Sequence, residues 1–343
     1  MSAWAGVLLA LLLAACSKTA PAPVSESAFF MGTVCSLTLY APPTVDVAPV
    51  FQAVFTRFDE IEHRMSANIA DTDIGRVNQN AGQAAIVVHA ETRALLERAL
   101  YYAELSDGAF DPTVGPLVKL WAIGTETPHL PSQDEIAAAL ALVNWRDVGV
   151  DPAHGAAFLA KTGMALDLGA IAKGYAADEA ARILAKAGVT GAIIDLGGNV
   201  CAYGIKNYHE PDTLWRIGVQ NPLDGRGAYI GVLALQNKSV VTSGIYERYA
   251  ELNGTRYHHI LSTRDGYPVQ NGLLSVTIIA ASSTAGDALS TTAFALGYER
   301  GRALIEALDD VEAIFVFADK TIRVTSGCPA MFTLSDAAYR LAD

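Results

Sequence analysis

The stretch Asp167-Leu168-Gly169-Ala170-Ile171-Ala172-Lys173-Gly174-Tyr175 puts a carboxylate, two glycines and a lysine where a strand end passes into a helix start. Such a junction offers free backbone N–H groups and the positive end of a helix dipole, which suits a phosphate. A second segment, Ala285-Gly286-Asp287-Ala288-Leu289-Ser290-Thr291-Thr292, supplies oxygen ligands at helical spacing. Asp287, Ser290 and Thr291 fall at i, i+3 and i+4, hence on one helix face. One carboxylate with hydroxyl oxygens suits Mg²⁺, which takes its remaining ligands from water or phosphate. Together the two segments predict a protein that holds a phosphorylated cofactor with a hard metal ion. Each also has a plainer reading: a dipole-complementing Asp beside incidental hydroxyls, and close helix–sheet packing at the glycines. The first segment is not a Walker loop, because GxxxxGK[ST] is absent.

The 343 residues are 51% hydrophobic and 17% charged, enough for a large core in one domain or two. Lys18 to Glu26, with Ala20-Pro21-Ala22-Pro23, reads as a tether, and the domain is expected to begin near Ala28. Ser36 to Tyr40 alternates as a strand. Helical spacing marks Val47 to Met65 and Glu91 to Leu105, while Ser66 to Asn80 is polar and irregular and Ser106 to Gly115 a Gly/Pro-punctuated loop. A further helix runs from Gln133 to Val143, with Pro131-Ser132 as its start signal. After Asp167 a helix continues to about Lys186, and Gly188 closes it. Gly191 to Asp195 is a buried strand ending in the turn Leu196 to Asn199. Strands follow at Trp215 to Val219, Tyr229 to Leu235, Ser239 to Thr242 and Leu274 to Ala280. Helices at Thr284 to Gly297 and Arg300 to Leu308, then two short strands within Val311 to Val324, complete the chain. The elements mix without strict βαβ alternation, which favours an α+β or layered α/β fold in one continuous domain.

At the N-terminus, Trp4 to Ala15 is an apolar run too short for a spanning helix and reads as a signal h-region. It ends at Leu13-Ala14-Ala15-Cys16, which resembles a bacterial lipoprotein cleavage site with Cys16 as the lipidated first residue, here a palmitate-type anchor. No Lys or Arg precedes the run, so an ordinary secretory peptide is the alternative. Residues 1–15 are thus the expected signal peptide, 16–27 the tether and 28–343 the folded domain. Ser17, where lipoproteins kept at the inner membrane usually carry Asp, favours outer-leaflet sorting. The remaining cysteines, Cys35, Cys201 and Cys328, have no CxxC or metal-ligand spacing and read as buried thiols, although one disulfide is possible. A net charge of −12 with no Lys/Arg cluster disfavours nucleic-acid binding.

Tyr257-His258-His259-Ile260-Leu261 is strand-like, so only one of the two histidines can face a cleft. Without further His, Cys or Glu at metal spacing, zinc is not indicated; a general base or a hydrogen-bonding group is the alternative to a structural histidine.

The conjunction of motifs is more specific than any one of them. Phe30-Met31-Gly32-Thr33, Gly108-Ala109-Phe110-Asp111-Pro112-Thr113-Val114-Gly115-Pro116-Leu117, the Asp167 segment continued by Ala176, and Asp195-Leu196-Gly197-Gly198-Asn199 occur in order. Ser243-Gly244, His258-His259-Ile260-Leu261 and Ala285 to Thr291 complete the series. In these motifs the chain resembles the ApbE family, the FAD:protein FMN transferases, over essentially its whole length after the tether. The resemblance implies a single-domain α/β fold of the T-fold-like kind that binds FAD as substrate and Mg²⁺. It implies transfer of the FMN half of FAD to a threonine hydroxyl of an acceptor flavoprotein, such as a redox-pump subunit, with release of AMP.

Carried over, the flavin contacts are Met31, Ala109, Phe110, Asp111, Asp167, Lys173 and Leu261. The metal is held by the Ala170 carbonyl with Asp287, Thr291 and Ser290, and His259 or Asp287 accepts the threonine proton. Lipoprotein export, typical of the family, implies a lipid-anchored protein on the periplasmic side of the bacterial cell envelope. Two positions depart from the pattern. Asn68 stands where the transferases commonly carry an aromatic against the flavin, which opens the alternative of a Mg²⁺-dependent FAD pyrophosphatase. Ser262-Thr263-Arg264-Asp265-Gly266 replaces a usual Asp-Pro, basic residue and Thr-Gly. A non-catalytic flavin-binding lipoprotein is the remaining alternative.

Overall fold

The computed structural model of the protein describes residues 22–206, 210 and 212–342. Strand β1 (Val24–Phe30) turns back at Met31 and Gly32 onto β2 (Thr33–Tyr40). The sheet thus starts at Val24, ahead of the boundary expected near Ala28. Val24 pairs with Leu39, and hydroxyls meet across the hairpin at Ser25–Thr38 (2.9 Å) and Ser27–Ser36 (2.8 Å). With one face polar and solvated, these residues lack the apolar alternation that separates a strand from a linker. Cys16 and the signal run lie outside the described residues.

Helix α1 (Ala48–Met65) buries Val50, Phe51, Val54, Phe58, Ile61 and Met65 along one stripe, as its 3.6-residue spacing requires. The stretch read as irregular contains α2 (Asp73–Gln79), whose N-cap Thr72 hydroxyl accepts from Gly75 N at 2.8 Å. Only Ile74 and Val77 are apolar and buried on it, too few for a periodic signal. Next come β3 (Ile86–Val87) and α3 (Ala90–Leu105). The Gly/Pro loop ends where a short helix without a periodic signal begins, α4 (Gly115–Trp121), anchored by buried Leu117 and Trp121. Helix α5 (Gln133–Leu140) starts at the expected Ser132, which forms a capping box with Glu135. Strands β4 (Val148–Asp151) and β5 (Ala156–Leu159) join β3 in a small sheet of order β3-β5-β4.

Helix α6 (Ala172–Lys186) ends before Gly188, whose φ of +75° places it in the left-handed region. The hairpin of β6 (Gly191–Leu196) and β7 (Asn199–Gly204) turns on Gly197 and Gly198, both at positive φ. A Cβ on Gly197 would lie 2.1 Å from Thr33 Oγ1, so this turn presses directly on the start of β2. Strands β8 (Trp215–Gln220), β9 (Tyr229–Leu235), β10 (Lys238–Gly244), β11 (Tyr249–Leu252), β12 (Thr255–His258) and β13 (Leu273–Ala280) follow. Helices α7 (Ser283–Leu296) and α8 (Tyr298–Glu306) precede β14 (Glu312–Phe317), β15 (Thr321–Val324), β16 (Phe332–Leu334) and β17 (Arg340–Leu341).

The central sheet has nine strands in the order β1-β2-β6-β7-β10-β13-β14-β15-β17, antiparallel except at β15–β17. One face carries the main core, built from β2, β6 and β13 with α1, α3, α6 and α7. The other is covered by the three-stranded sheet β16-β9-β8, with Trp215, Ile217, Leu233 and Phe332 against Ile279, Ile314 and Val316. Every residue of β13 is buried because both of its faces are covered. The fold is a layered, mixed α/β arrangement. Cys35, Cys201 and Cys328 are free, buried thiols, each pushed up in pKa chiefly by burial.

Candidate active site

Helices α6 and α7 place the two sequence segments against each other. A Cβ on Gly174 would lie 2.2 Å from Ser283 O and 2.8 Å from Asp287 Cβ, so only glycine allows this approach. Gly174 N donates to Asp287 Oδ2 at 2.9 Å, and Lys173 Nζ lies 3.5 Å from Asp287 Oδ1 and 3.0 Å from Gly169 O. The α6 start is therefore not an open anion cradle. Its Gly174 N–H is taken by a carboxylate and its Ala172 N–H by Leu168 O, so the positive charge that α6 itself brings to the cleft is the Lys173 ammonium. Asp178 on α6 fastens the start of α7, accepting from Ser282 Oγ, Ser283 N, Thr284 N and Thr284 Oγ1 at 2.6 to 3.0 Å.

This helix pair forms one wall of a cleft of about 480 Å³, a volume suited to a cofactor-sized ligand. Ala109, Phe110, Asp111, Asp167, Ala170, Lys173, His259, Leu261, Asp287 and Thr291 all line it, so most of the residues singled out in the sequence meet here. Asp111 is nearly buried. It accepts from Thr113 N, Thr113 Oγ1 and Trp145 N, and burial raises its pKa against those hydrogen bonds. Asp167 Oδ1 holds Gly169 N at 2.7 Å and so shapes the turn that carries Ala170.

Three expected residues are not on the cleft wall. Met31 sits at φ 51° in the hairpin turn with its side chain against the core, and its neighbours Gly32 and Thr33 line the cleft instead. Ser290 is fully buried behind the wall, donating to Asp287 O (2.9 Å) and meeting Ser243 Oγ (2.8 Å), which in turn meets Thr291 Oγ1 (3.3 Å). Asn68 is exposed in the loop between α1 and α2, its N–H bonded to Ser66 Oγ.

Of the two histidines, His258 is buried with Nε2 2.8 Å from Val269 O, and His259 faces the cleft. Burial, then the positive charge of Arg248, pushes the His259 pKa down to about 3, with Lys173 adding to the effect. His259 Nδ1 lies 3.2 Å from Arg248 O. A carbonyl can only accept, so Nδ1 carries the proton and Nε2 is the free basic nitrogen.

The sequence reading overlooked Arg226, Glu247 and Arg248, which also line the cleft. Arg226 Nη2 meets Glu247 Oε2 at 3.4 Å, and burial is the main cause of the raised Glu247 pKa. The signals were present: an arginine between Gly225 and Gly227, and the charged pair Glu247-Arg248 two residues beyond Ser243-Gly244. Asn199, read as a turn residue, is 2% exposed on the cleft wall. Its Oδ1 accepts from Ser283 Oγ at 2.7 Å, while Nδ2 is buried with no partner among the described residues.

The sequence profile of the ApbE family matches residues 31–315. An FAD:protein FMN transferase of Treponema pallidum is 38% identical, over 98% of this chain and 97% of its own length. One from Klebsiella pneumoniae is also 38% identical, over 93% of this chain and 97% of its own. Among solved structures, the ApbE protein of Thermotoga maritima superposes with a TM-score of 0.82 at 32% identity, covering 90% of this chain and 98% of that one. The flavin transferase ApbE of Vibrio cholerae gives 0.79 at 26% identity, covering 90% and 99%.

Proposed function

This chain belongs to the ApbE family, and from that premise we propose that its cleft binds FAD and moves the FMN half onto a threonine hydroxyl of an acceptor flavoprotein, releasing AMP. The observation that carries the assignment to this cleft is the meeting of Lys173, Gly174 and Asp287 where α6 abuts α7.

The donor set fits a divalent cation. Four carboxylates, Asp111, Asp167, Glu247 and Asp287, line the cleft against three cations, Lys173, Arg226 and Arg248. A pyrophosphate would add to the negative side, so a cation must accompany it. Asp287, Thr291 and the Ala170 carbonyl would hold Mg²⁺, with Ser290 steadying Thr291 through Ser243. Oxygen donors with a single carboxylate suit this ion, and when bound it supplies charge neutralisation at the pyrophosphate. Lys173 places a positive charge beside it. His259 presents Nε2 as the base for the attacking hydroxyl, held in that tautomer by Arg248 O. Asn199 Nδ2 offers a buried donor that a ligand oxygen would satisfy, since leaving it unmet costs about 1–3 kcal/mol.

Incubation with FAD and Mg²⁺, with and without an acceptor flavoprotein, tests the proposal by AMP release and by an FMN-sized mass gain on the acceptor threonine. AMP formed equally fast without acceptor would make this chain a FAD pyrophosphatase. FAD bound with no AMP formed at all would make it a flavin-binding protein.

The Leu13-Ala14-Ala15-Cys16 ending supports a lipid anchor at Cys16 and residence on the periplasmic side of the cell envelope. Cys16→Ser should move the protein from the membrane fraction to the soluble one; retention on the membrane would sink the anchor.

A further inference from the structure

We propose that the Arg248 guanidinium is a further catalytic group, binding the phosphoryl oxygens of the group transferred and offsetting the charge that builds as AMP leaves. This rests on pyrophosphate cleavage occurring in the cleft described above.

Arg248 lies just beyond β10, in the connection to β11, and lines the cleft. The other two cleft cations already have counter-ions, Lys173 with Asp287 and Arg226 with Glu247. Among the described residues no hydrogen bond or ion pair engages the Arg248 guanidinium. Its side chain nonetheless has a defined course. A Cβ on Gly124 would lie 3.5 Å from Arg248 Cδ, and one on Gly32 3.6 Å from Nη2. The arginine therefore passes the loop after α4 and ends beside Gly32 of the β1–β2 turn, which lines the cleft. Neither glycine has a side chain to block that path, and their positive φ, +84° and +70°, disfavours any other residue there.

The same residue also governs the base. The Arg248 carbonyl accepts from His259 N (3.1 Å) and lies 3.2 Å from His259 Nδ1, so one residue orients the imidazole while its own side chain carries the unpaired charge. Lys173 and Arg248 both act electrostatically on His259, which places two cations near the base. A planar guanidinium matches two phosphate oxygens at once, which an ammonium cannot do.

In the step proposed, the acceptor hydroxyl oxygen bonds to the phosphorus of the FMN half and its proton passes to His259 Nε2. The bond from that phosphorus to the bridging oxygen breaks, its electron pair leaving with AMP. Negative charge gathers on the bridging oxygen and the phosphoryl oxygens, where an otherwise unpaired arginine stabilises the transition state more than bound FAD.

The test compares Arg248→Gln and Arg248→Lys with the unaltered protein, using FAD, Mg²⁺ and an acceptor flavoprotein. AMP release should fall about 10²-fold in the Gln variant and less in the Lys variant, the scale of losing one transition-state donor. FAD affinity, read by flavin fluorescence without turnover, should change only a few-fold. Added guanidinium ion should restore part of the rate to the Gln variant and none to the Lys variant. Undiminished turnover in the Gln variant overturns the inference, as does loss confined to FAD affinity. A failure of the unaltered protein to release AMP would instead overturn the reading on which it rests. Arg248 is exposed, and matched melting temperatures would verify that both variants are folded.

Discussion

At His259 the physical chemistry runs in one direction. Its pKa falls from 6.5 to about 3 in the folded chain, so between those values the unfolded chain binds the proton and the native one does not. Stability should therefore drop as pH is lowered from 7 toward 3, and His259→Gln should flatten that dependence. Urea titrations at pH 7 and 5 compare the two proteins; an equal loss in both would remove His259 as a cause. Anionic pyrophosphate would relieve the repulsion from Arg248 and Lys173 and so raise the basicity of His259 when substrate is bound. At Asp287, Asn keeps the shape and removes the charge. Asp287→Asn should cost about 10²-fold or more in metal-dependent AMP release, with FAD binding retained. Turnover that survived would move the metal elsewhere. Residue type and spacing single out Asp287, Thr291 and Lys173 and allow only one of His258 and His259 to face a cleft, without saying which. The place of Asn68 is not legible, because a position in a motif does not fix where a loop goes: α2 holds that loop outward on Thr72 and Ile74.

The contact between α6 and α7 is the element on which the site depends. Gly174→Ala would drive a methyl into the Ser283 carbonyl, a backbone atom that cannot rotate away. The expected cost is about 1–3 kcal/mol of stability, together with separation of Lys173 from Asp287 and loss of turnover. A stable, fully active alanine variant would contradict the close approach. Asp178→Ala should act through the same pair from the other end, since four hydrogen bonds to the α7 start are lost and about 1–2 kcal/mol is typical for such a cap. Long elements were readable because burial on one face imposes a period, as in α1 and α6. The short ones, α2 and α4, are not, because each buries only two large apolar side chains, and only α2 has a side-chain cap, at Thr72. The early start of β1 was hidden for a related reason: its hydroxyl pairs are specific to the hairpin and leave no apolar alternation.

Across the molecule, the cleft draws on the β1–β2 turn, residues 109–111, the α6 start, the β6–β7 turn, β10, the loop after it, and α7. No window of sequence contains these together, so the convergence of Arg226 and Arg248 on the site is visible only in the fold. It also means that a ligand filling the cleft ties distant parts of the nine-stranded sheet to one another. FAD with Mg²⁺ at 100 times its dissociation constant should add about 2.7 kcal/mol to global stability, roughly 4 °C in melting temperature for a chain of this length. The gain should appear as one cooperative transition, because β13, with every residue buried, lies in the sheet beneath both the cleft and the second core. In Asp287→Asn the Mg²⁺-dependent part of the shift should vanish while the part due to FAD alone persists. Hydrogen exchange supplies the discriminating measurement. Protection spread over β2, β6, β10 and β13 together is the expected result, whereas protection limited to the α6–α7 contact would show that the site is energetically local.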